Sequence, residues 1–143
     1  MKLTKERAIA EHRKMWLWIS RQIMKDYLAN RTVRKIYSYK CDYLNKVYPN
    51  EIISYKCFCC EYVRQTSENR YSYKDCALYW NCYKDCPLYW NDDRTKYTCG
   101  EHLSYYEIIA ITTSTYRTFC GFKEAKRMAR MAYKIAMLEE KEQ

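Results

Sequence analysis

The sequence predicts a mainly α fold, formed as a single domain over residues 1–143. Apolar residues recur at intervals of three and four in several segments, and residues that favour helix starts precede these segments. A cysteine-rich stretch over residues 49–103 interrupts this helical pattern. We therefore expect two helices within residues 1–48, a zinc-stapled insert, and two further helices within residues 104–143. A chain of this length can bury a substantial core.

The first predicted helix runs from about residue 5 to 29 and is capped by Thr4, whose hydroxyl can accept a hydrogen bond from a free backbone N–H. Its predicted apolar face consists of Ile9, His12, Trp16, Ile19, Ile23 and Tyr27. A second helix is predicted from a cap at Thr32 to Tyr48, because Pro49 disfavours its continuation. The connection between the two helices is short, which favours an antiparallel hairpin.

The second helix also has a predicted apolar face. Its predicted apolar face consists of Val33, Ile36, Tyr37, Tyr43, Leu44 and Val47. Lys35, Tyr39 and Lys46 are expected to point away from that face.

A third helix is predicted to begin with the capping box from Ser104 to Glu107. The β-branched residues between Ile108 and Thr115 also permit a strand there. Gly121 interrupts the chain, and a last helix is predicted from about residue 122 to 139. Its narrow apolar face, suited to close packing, consists of Ala125, Met128, Ala129, Ala132, Ile135 and Ala136.

The insert contains two closely spaced cysteine pairs. Cys57 and Cys60 form a C-x2-C pair, and Cys82 and Cys86 form a C-x3-C pair about twenty residues later. Zinc prefers four soft ligands in a tetrahedron, and each pair can supply two thiolates. The spacing predicts a structural zinc site joined by a loop-like chain, because four cysteine ligands leave no open position for substrate.

Alternative ligands remain open. Cys59, Cys76 and Cys99 could substitute for a member of either pair, or form a second, incomplete site with His102. Residues 73–82 and 83–92 form a tandem repeat, which places similar cysteines at two positions. The odd number of nine cysteines and the lack of an apolar export signal favour metal binding over disulfides. We therefore expect a cytoplasmic protein.

The positive charge is concentrated at one end of the chain. The net charge is +9, and residues 1–48 hold 12 Lys or Arg and 4 Asp or Glu, which gives +8. Such a basic region predicts an acidic partner, either a protein surface or nucleic acid. The predicted partner-binding surface on the first helix consists of Arg7, Lys14, Trp18, Arg21 and Lys25. The alternative is a solvated helix face on which Trp18 is covered by another element.

The sequence favours a binding protein over an enzyme. It has only two glycines and therefore lacks a glycine-rich phosphate loop. Metalloprotease and deaminase motifs do not occur, and no nucleophile stands near a base. There is also no apolar run of about eighteen residues that would predict a membrane span.

Three short motifs resemble those of small helical, cysteine-bearing accessory proteins of bacteriophages and prophages of low-GC bacteria. They are His12-x3-Trp16-x-Trp18-Ile19, Cys57-x2-Cys60-Glu61-Tyr62 and Cys86-Pro87-Leu88-x-Trp90. The insert of this chain is longer than is usual in that family, because of the tandem repeat. The resemblance implies a non-enzymatic protein that binds and inhibits or redirects a host macromolecule, such as a defence protein, in the host cytoplasm. A nucleic-acid-binding regulator is the alternative.

Overall fold

A computed structural model describes residues 1–53, 56–66, 87–88 and 121–140. This part of the chain contains four helices, α1 (Lys5–Leu28), α2 (Ile36–Val47), α3 (Phe58–Thr66) and α4 (Phe122–Ala136). The mainly α fold is therefore confirmed for the described residues, whose only β pairing is an isolated bridge between Leu88 and Glu140. The helix predicted from Ser104 and the tandem repeat lie outside the described residues.

Helix α1 is the centre of the fold and packs against all three other helices. It begins where the sequence predicts, since the Thr4 hydroxyl accepts a hydrogen bond of 3.2 Å from the backbone N–H of Arg7. The predicted apolar face is also confirmed, with five of its six members buried and Tyr27 half-buried. The 3.6-residue period was sufficient to identify this face because it extends over more than six turns.

Helix α4 packs antiparallel to α1 along its alanine-rich face. The Ser20 hydroxyl donates to the carbonyl oxygen of Ala129 at 2.6 Å, and the rings of Tyr27 and Phe122 lie 5.9 Å apart. All six residues of the predicted narrow face are buried. Small side chains on this face allow a serine of α1 to reach the backbone of α4, which explains the close contact. The helix ends at Ala136 rather than at residue 139.

Helix α2 forms the predicted antiparallel hairpin with α1. Tyr39 donates a hydrogen bond of 2.9 Å to Asp26 near the hairpin turn, and Tyr43 packs on Trp18 farther along, with ring centroids 5.6 Å apart. Arg31 Nε also binds Asp26, at 2.9 Å. A buried carboxylate, rather than apolar contact alone, therefore holds the turn of the hairpin.

The predicted start of α2 at Thr32 is wrong, because the helix begins at Ile36 after an extended Lys35. The backbone N–H of Arg34 donates to the Tyr39 hydroxyl at 3.2 Å. The backbone N–H of Arg31 bonds back to the Asp26 carbonyl at 2.8 Å. These bonds keep the preceding segment out of the helix.

The predicted apolar face of α2 is wrong in part. The buried residues of the helix are Ile36, Tyr39, Lys40, Tyr43 and Leu44. Tyr37 and Val47 are 58% and 41% exposed, whereas Tyr39 is fully buried. Lys40 is buried as well and its ammonium lies 5.2 Å from the centre of the Trp16 ring, within cation–π distance. Polar partners on α1 therefore determine which side of α2 faces inward.

The burial of Tyr43 leads to a prediction about alkaline pH. Burial, with smaller contributions from Glu11 and Tyr48, raises the pKa of Tyr43 from 10.0 to about 12. The folded state holds this proton more tightly than the unfolded state, so its stabilising effect is complete below pH 10 and is lost as the pH rises towards 12. The free energy of unfolding of Tyr43→Phe, measured by urea titration, should therefore fall less steeply between pH 10 and 12 than that of the wild type. Tyr133→Phe, at an exposed position, should behave like the wild type, and equal slopes for all three proteins would contradict the prediction.

Candidate functional site

Cys57 occupies the N-cap position of α3. The chain turns into the helix at Lys56, which adopts a left-handed backbone conformation with φ of 52°. The backbone N–H of Cys60 donates to Cys57 Sγ at 3.3 Å, and that of Glu61 donates to the Cys57 carbonyl at 2.9 Å. The sulfur thus takes the place of the usual capping oxygen, and the helix N-terminus favours a negative charge on it.

The expectation that the chain after the first cysteine pair is loop-like is wrong for residues 58–66, which form α3. This short helix is held to the core by Phe58, whose ring meets that of Tyr48 edge-on at 5.8 Å. Its buried Glu61 accepts hydrogen bonds from Arg64 Nε at 2.9 Å and Gln65 Nε2 at 3.0 Å. The first cysteine pair is therefore displayed by an ordered, packed element.

Both members of the first cysteine pair are suitably placed for a metal. Cys57 and Cys60 are buried, and the N–H to sulfur bond between them is the kind of outer-shell contact that supports a thiolate ligand. Cys59 is also buried. No disulfide bond joins the described cysteines to one another.

The described residues contain only part of the predicted ligand set. No group of three or more potential metal ligands occurs among them. The second predicted pair and all alternative ligands except Cys59 lie outside the described residues, namely Cys82, Cys86, Cys76, Cys99 and His102. The four-cysteine zinc site therefore stays a prediction.

One short segment of the chain after the second cysteine pair is described. Pro87 and Leu88 are both buried, and Leu88 pairs with Glu140 in the antiparallel bridge. Leu88 belongs to the same hydrophobic core as Cys57 and Cys60. The chain therefore passes through this core just after Cys86 in the sequence.

The predicted partner-binding surface on α1 is only partly open to a partner. Arg7, Lys14, Arg21 and Lys25 are all exposed, whereas Trp18 is half-buried and packs on Tyr43. Covering of Trp18 by another element was the alternative reading of the sequence, and α2 supplies that cover. The four cations, rather than the indole ring, are thus the accessible part of this surface.

Sequence reasoning missed an acidic residue within the same row. Glu11 is buried and its carboxylate lies 3.4 Å from the ammonium of Lys14. Burial, together with the nearby Glu11 carboxylate, raises the pKa of the Tyr48 hydroxyl. Arg21 and Lys25 have no ion-pair partner in the described part of the chain. The unopposed positive charge therefore lies towards the C-terminal end of α1.

Helix α4 carries further exposed cations that the analysis of net charge overlooked. They are Lys123, Lys126, Arg127, Arg130 and Lys134. Residues 104–143 have a net charge of only +2, from 7 Lys or Arg and 5 Asp or Glu, so the overall value conceals a basic helix face. The spacing of these residues in the sequence places them opposite the alanine-rich face, and this spacing could have identified the basic face. Because α4 starts beside the C-terminal end of α1, Lys123, Lys126 and Arg127 lie at the same end of the helix pair as Arg21 and Lys25.

No protein-family model, curated protein or solved structure matches this chain. Across the described residues, every helix is too short or too polar to cross a lipid bilayer.

Proposed function

We propose that this chain is a non-enzymatic, zinc-stabilised phage accessory protein that binds an acidic surface of a host protein and inhibits or redirects it. The exposed cations of α1 carry the proposal, because Arg21 and Lys25 have no ion-pair partner among the described residues. The cations at the start of α4 extend this surface. Unopposed charges of one sign speed association with a partner of opposite sign and make it selective.

The proposed host target is a component of the cell's defence, and the proposed site of action is the host cytoplasm. This choice rests on the resemblance to phage accessory proteins, many of which act by binding host or viral macromolecules. The basic surface supports a binding role but is compatible with several acidic partners. Nucleic acid is therefore the second candidate.

A zinc ion bound by Cys57, Cys60, Cys82 and Cys86 is part of the proposal. Two observations support it: the buried first pair with its N–H to sulfur bond, and the buried Leu88, two residues after Cys86. When bound, the ion would link α3 to the second cysteine pair and act only as a structural crosslink. The α3 backbone would hold Cys57 in position by its hydrogen bond from Cys60.

Charge reversal on α1 tests the binding surface. Lys14→Glu combined with Arg21→Glu should slow association with an acidic partner by about tenfold or more. Stability should fall by about 1 kcal/mol, since both side chains are exposed but Lys14 gives up its ion pair with Glu11. The measurement is affinity capture from a host lysate, followed by association kinetics with the captured protein. The matched control is Lys35→Glu with Lys46→Glu, which makes the same charge change at two exposed positions, one just before α2 and one in its last turn.

The salt dependence of binding separates the two candidate functions. Nucleic acid would lose about 10³-fold or more in affinity between 50 and 200 mM salt if six or more phosphates are contacted. The affinity for a protein partner would fall less steeply with salt.

Equal capture by the wild type and the α1 double variant would place the functional surface elsewhere. Trp18→Ala is a poor probe here, because it would also remove the packing on Tyr43.

A further inference from the structure

An apolar surface lies along the seam between α1 and α4, where two packed helices leave a shallow groove between them. Its position follows from the seam between the two helices, where Ser20 of α1 bonds to Ala129 of α4. Leu17 and Met24 lie one turn before and one turn after Ser20, so they share its side of α1. On α4, Tyr133 follows Ala129 by one turn and lies on the same side of that helix.

The floor and the rims of this groove differ in exposure. Leu17 and Met24 are half-buried and pack against the core, so they form a recessed floor. Leu28 is 72% exposed, and Phe122 and Tyr133 are each 51% exposed, so Leu28 forms the rim on α1 and the two aromatic residues form the rim on α4. We call these five residues the outer groove. An apolar surface of this kind on a protein is typical of an interaction site.

Cations border the outer groove on both sides. Arg21 and Lys25 are exposed on the α1 side, and Lys126 and Arg130 are exposed on the α4 side. The Lys126 ammonium lies 5.8 Å from the centre of the Phe122 ring. The acidic residue of α1 nearest to this end, Asp26, is buried and hydrogen-bonded within the hairpin. The charge around the groove is therefore positive.

This combination of features selects one kind of occupant. A second copy of the chain would bring the same cations against each other. Nucleic acid offers no apolar surface to cover Leu17, Met24 and Leu28, and a flat lipid surface does not fill a recessed floor. An amphipathic helix with an apolar face and acidic flanks complements the floor, the rims and the borders together.

We infer that the outer groove binds an amphipathic helix of a protein partner, whose apolar face covers the groove and whose carboxylates meet the bordering cations. The groove extends along residues 122–133 of α4, which is about 17 Å at the helical rise and matches about three turns of a bound helix. The inference rests on the proposed function and specifies the chemistry of the partner.

A designed peptide tests the groove directly. The probe is a fluorescent helical peptide of about five turns, with leucines along one face at helical spacing and glutamates on both flanks of that face. Fluorescence anisotropy measures its affinity for the full chain. Leu28→Ser combined with Tyr133→Ser should weaken binding by about tenfold or more, because both rims are lost. A peptide with glutamine in place of each glutamate should bind about tenfold less tightly to the wild type.

The control variant is Tyr37→Ser with Ile52→Ser, which removes exposed apolar side chains elsewhere on the molecule. Thermal unfolding confirms that each variant remains folded. Failure of the wild type to bind the glutamate peptide, or equal weakening by the control variant, would overturn the inference. In another outcome, the wild type binds vesicles rich in phosphatidylserine but not the peptide, and Leu28→Ser with Tyr133→Ser abolishes vesicle binding. That outcome would assign the groove to a lipid surface and would also overturn the inference.

The same variants separate this inference from the proposed function. If charge reversal of Lys14 and Arg21 abolishes capture of a host protein, but the variant at Leu28 and Tyr133 still captures it, the groove is refuted and the proposed function stands. A peptide that binds the groove while no host protein is captured would refute the function and keep the groove.

Discussion

Replacing Cys57 with serine is expected to release bound zinc and to unfold the protein at room temperature. The apparent free energy of binding a structural zinc ion is about 10–16 kcal/mol, and it contributes to folding because the site does not form in the unfolded chain. Serine is a good N-cap residue, so its hydroxyl can still accept the hydrogen bond that Cys60 donates to the sulfur. The substitution therefore removes a proposed metal ligand while it preserves the helix cap.

Two other cysteines serve as controls for this experiment. Cys41→Ser changes a half-buried thiol of α2, and Cys59→Ser changes a buried thiol that lies between the two predicted ligands. Both variants should retain the metal, with the loss at Cys59 limited to about 1–3 kcal/mol for burying a hydroxyl. Native mass spectrometry of protein purified without added metal gives the zinc content, and circular dichroism gives the fold. A metal-free and fully folded wild type would refute the zinc site.

The elements that sequence reasoning predicted well are those whose pattern is long and whose caps are local. Helix α1 has a cap at Thr4 that depends only on its own first turn, and its periodicity outweighs any single exception. Helix α4 is shorter, but its alanines and Met128 define one narrow face, all of which is buried. In both helices, the information that determines the structure lies within the helix itself.

The elements that sequence reasoning missed depend on distant partners. Tyr39 is buried because its hydroxyl reaches Asp26 of α1, and the pattern of apolar residues in α2 does not contain that information. Helix α3 is capped by Cys57, although cysteine is not a usual capping residue, and a cysteine-rich context favoured a loop. Lys40 is a charged residue whose burial requires the Trp16 ring beside it. Tertiary contacts thus overrode local preference at each of these positions.

The same dependence on distant partners limits what the sequence can say about the candidate site. The C-x2-C spacing identified Cys57 and Cys60, but not the N-cap role of the first sulfur. The periodicity of α1 grouped four exposed cations correctly, but it did not show that Tyr43 covers Trp18. Neither helix alone defines the outer groove, because the groove exists only where α1 and α4 meet.

Removing the Asp26 carboxylate is expected to cost about 2–4 kcal/mol of stability, because three hydrogen bonds to a buried group are lost, and this is a large part of the total for a domain of this size. Asp26 is only 4% exposed and accepts hydrogen bonds from Gln22, Arg31 and Tyr39 at 2.8, 2.9 and 2.9 Å. In Asp26→Ala, the buried Tyr39 hydroxyl loses its acceptor and the Arg31 guanidinium loses its counterion. Unsatisfied buried groups carry their full desolvation cost, so the hairpin of α1 and α2 should open first.

The matched control for this substitution is Asp42→Ala, which removes a carboxylate from the same hairpin. Asp42 pairs with Arg34, but both side chains are more than 40% exposed, so the loss should be about 0–1 kcal/mol. Tyr39→Phe removes the hydrogen bond to Asp26 and the one from the Arg34 N–H, and its loss should fall between the two, at about 1–3 kcal/mol. Urea unfolding at neutral pH measures all three. Similar losses for Asp26→Ala and Asp42→Ala would show that the hairpin depends on apolar packing rather than on the buried carboxylate.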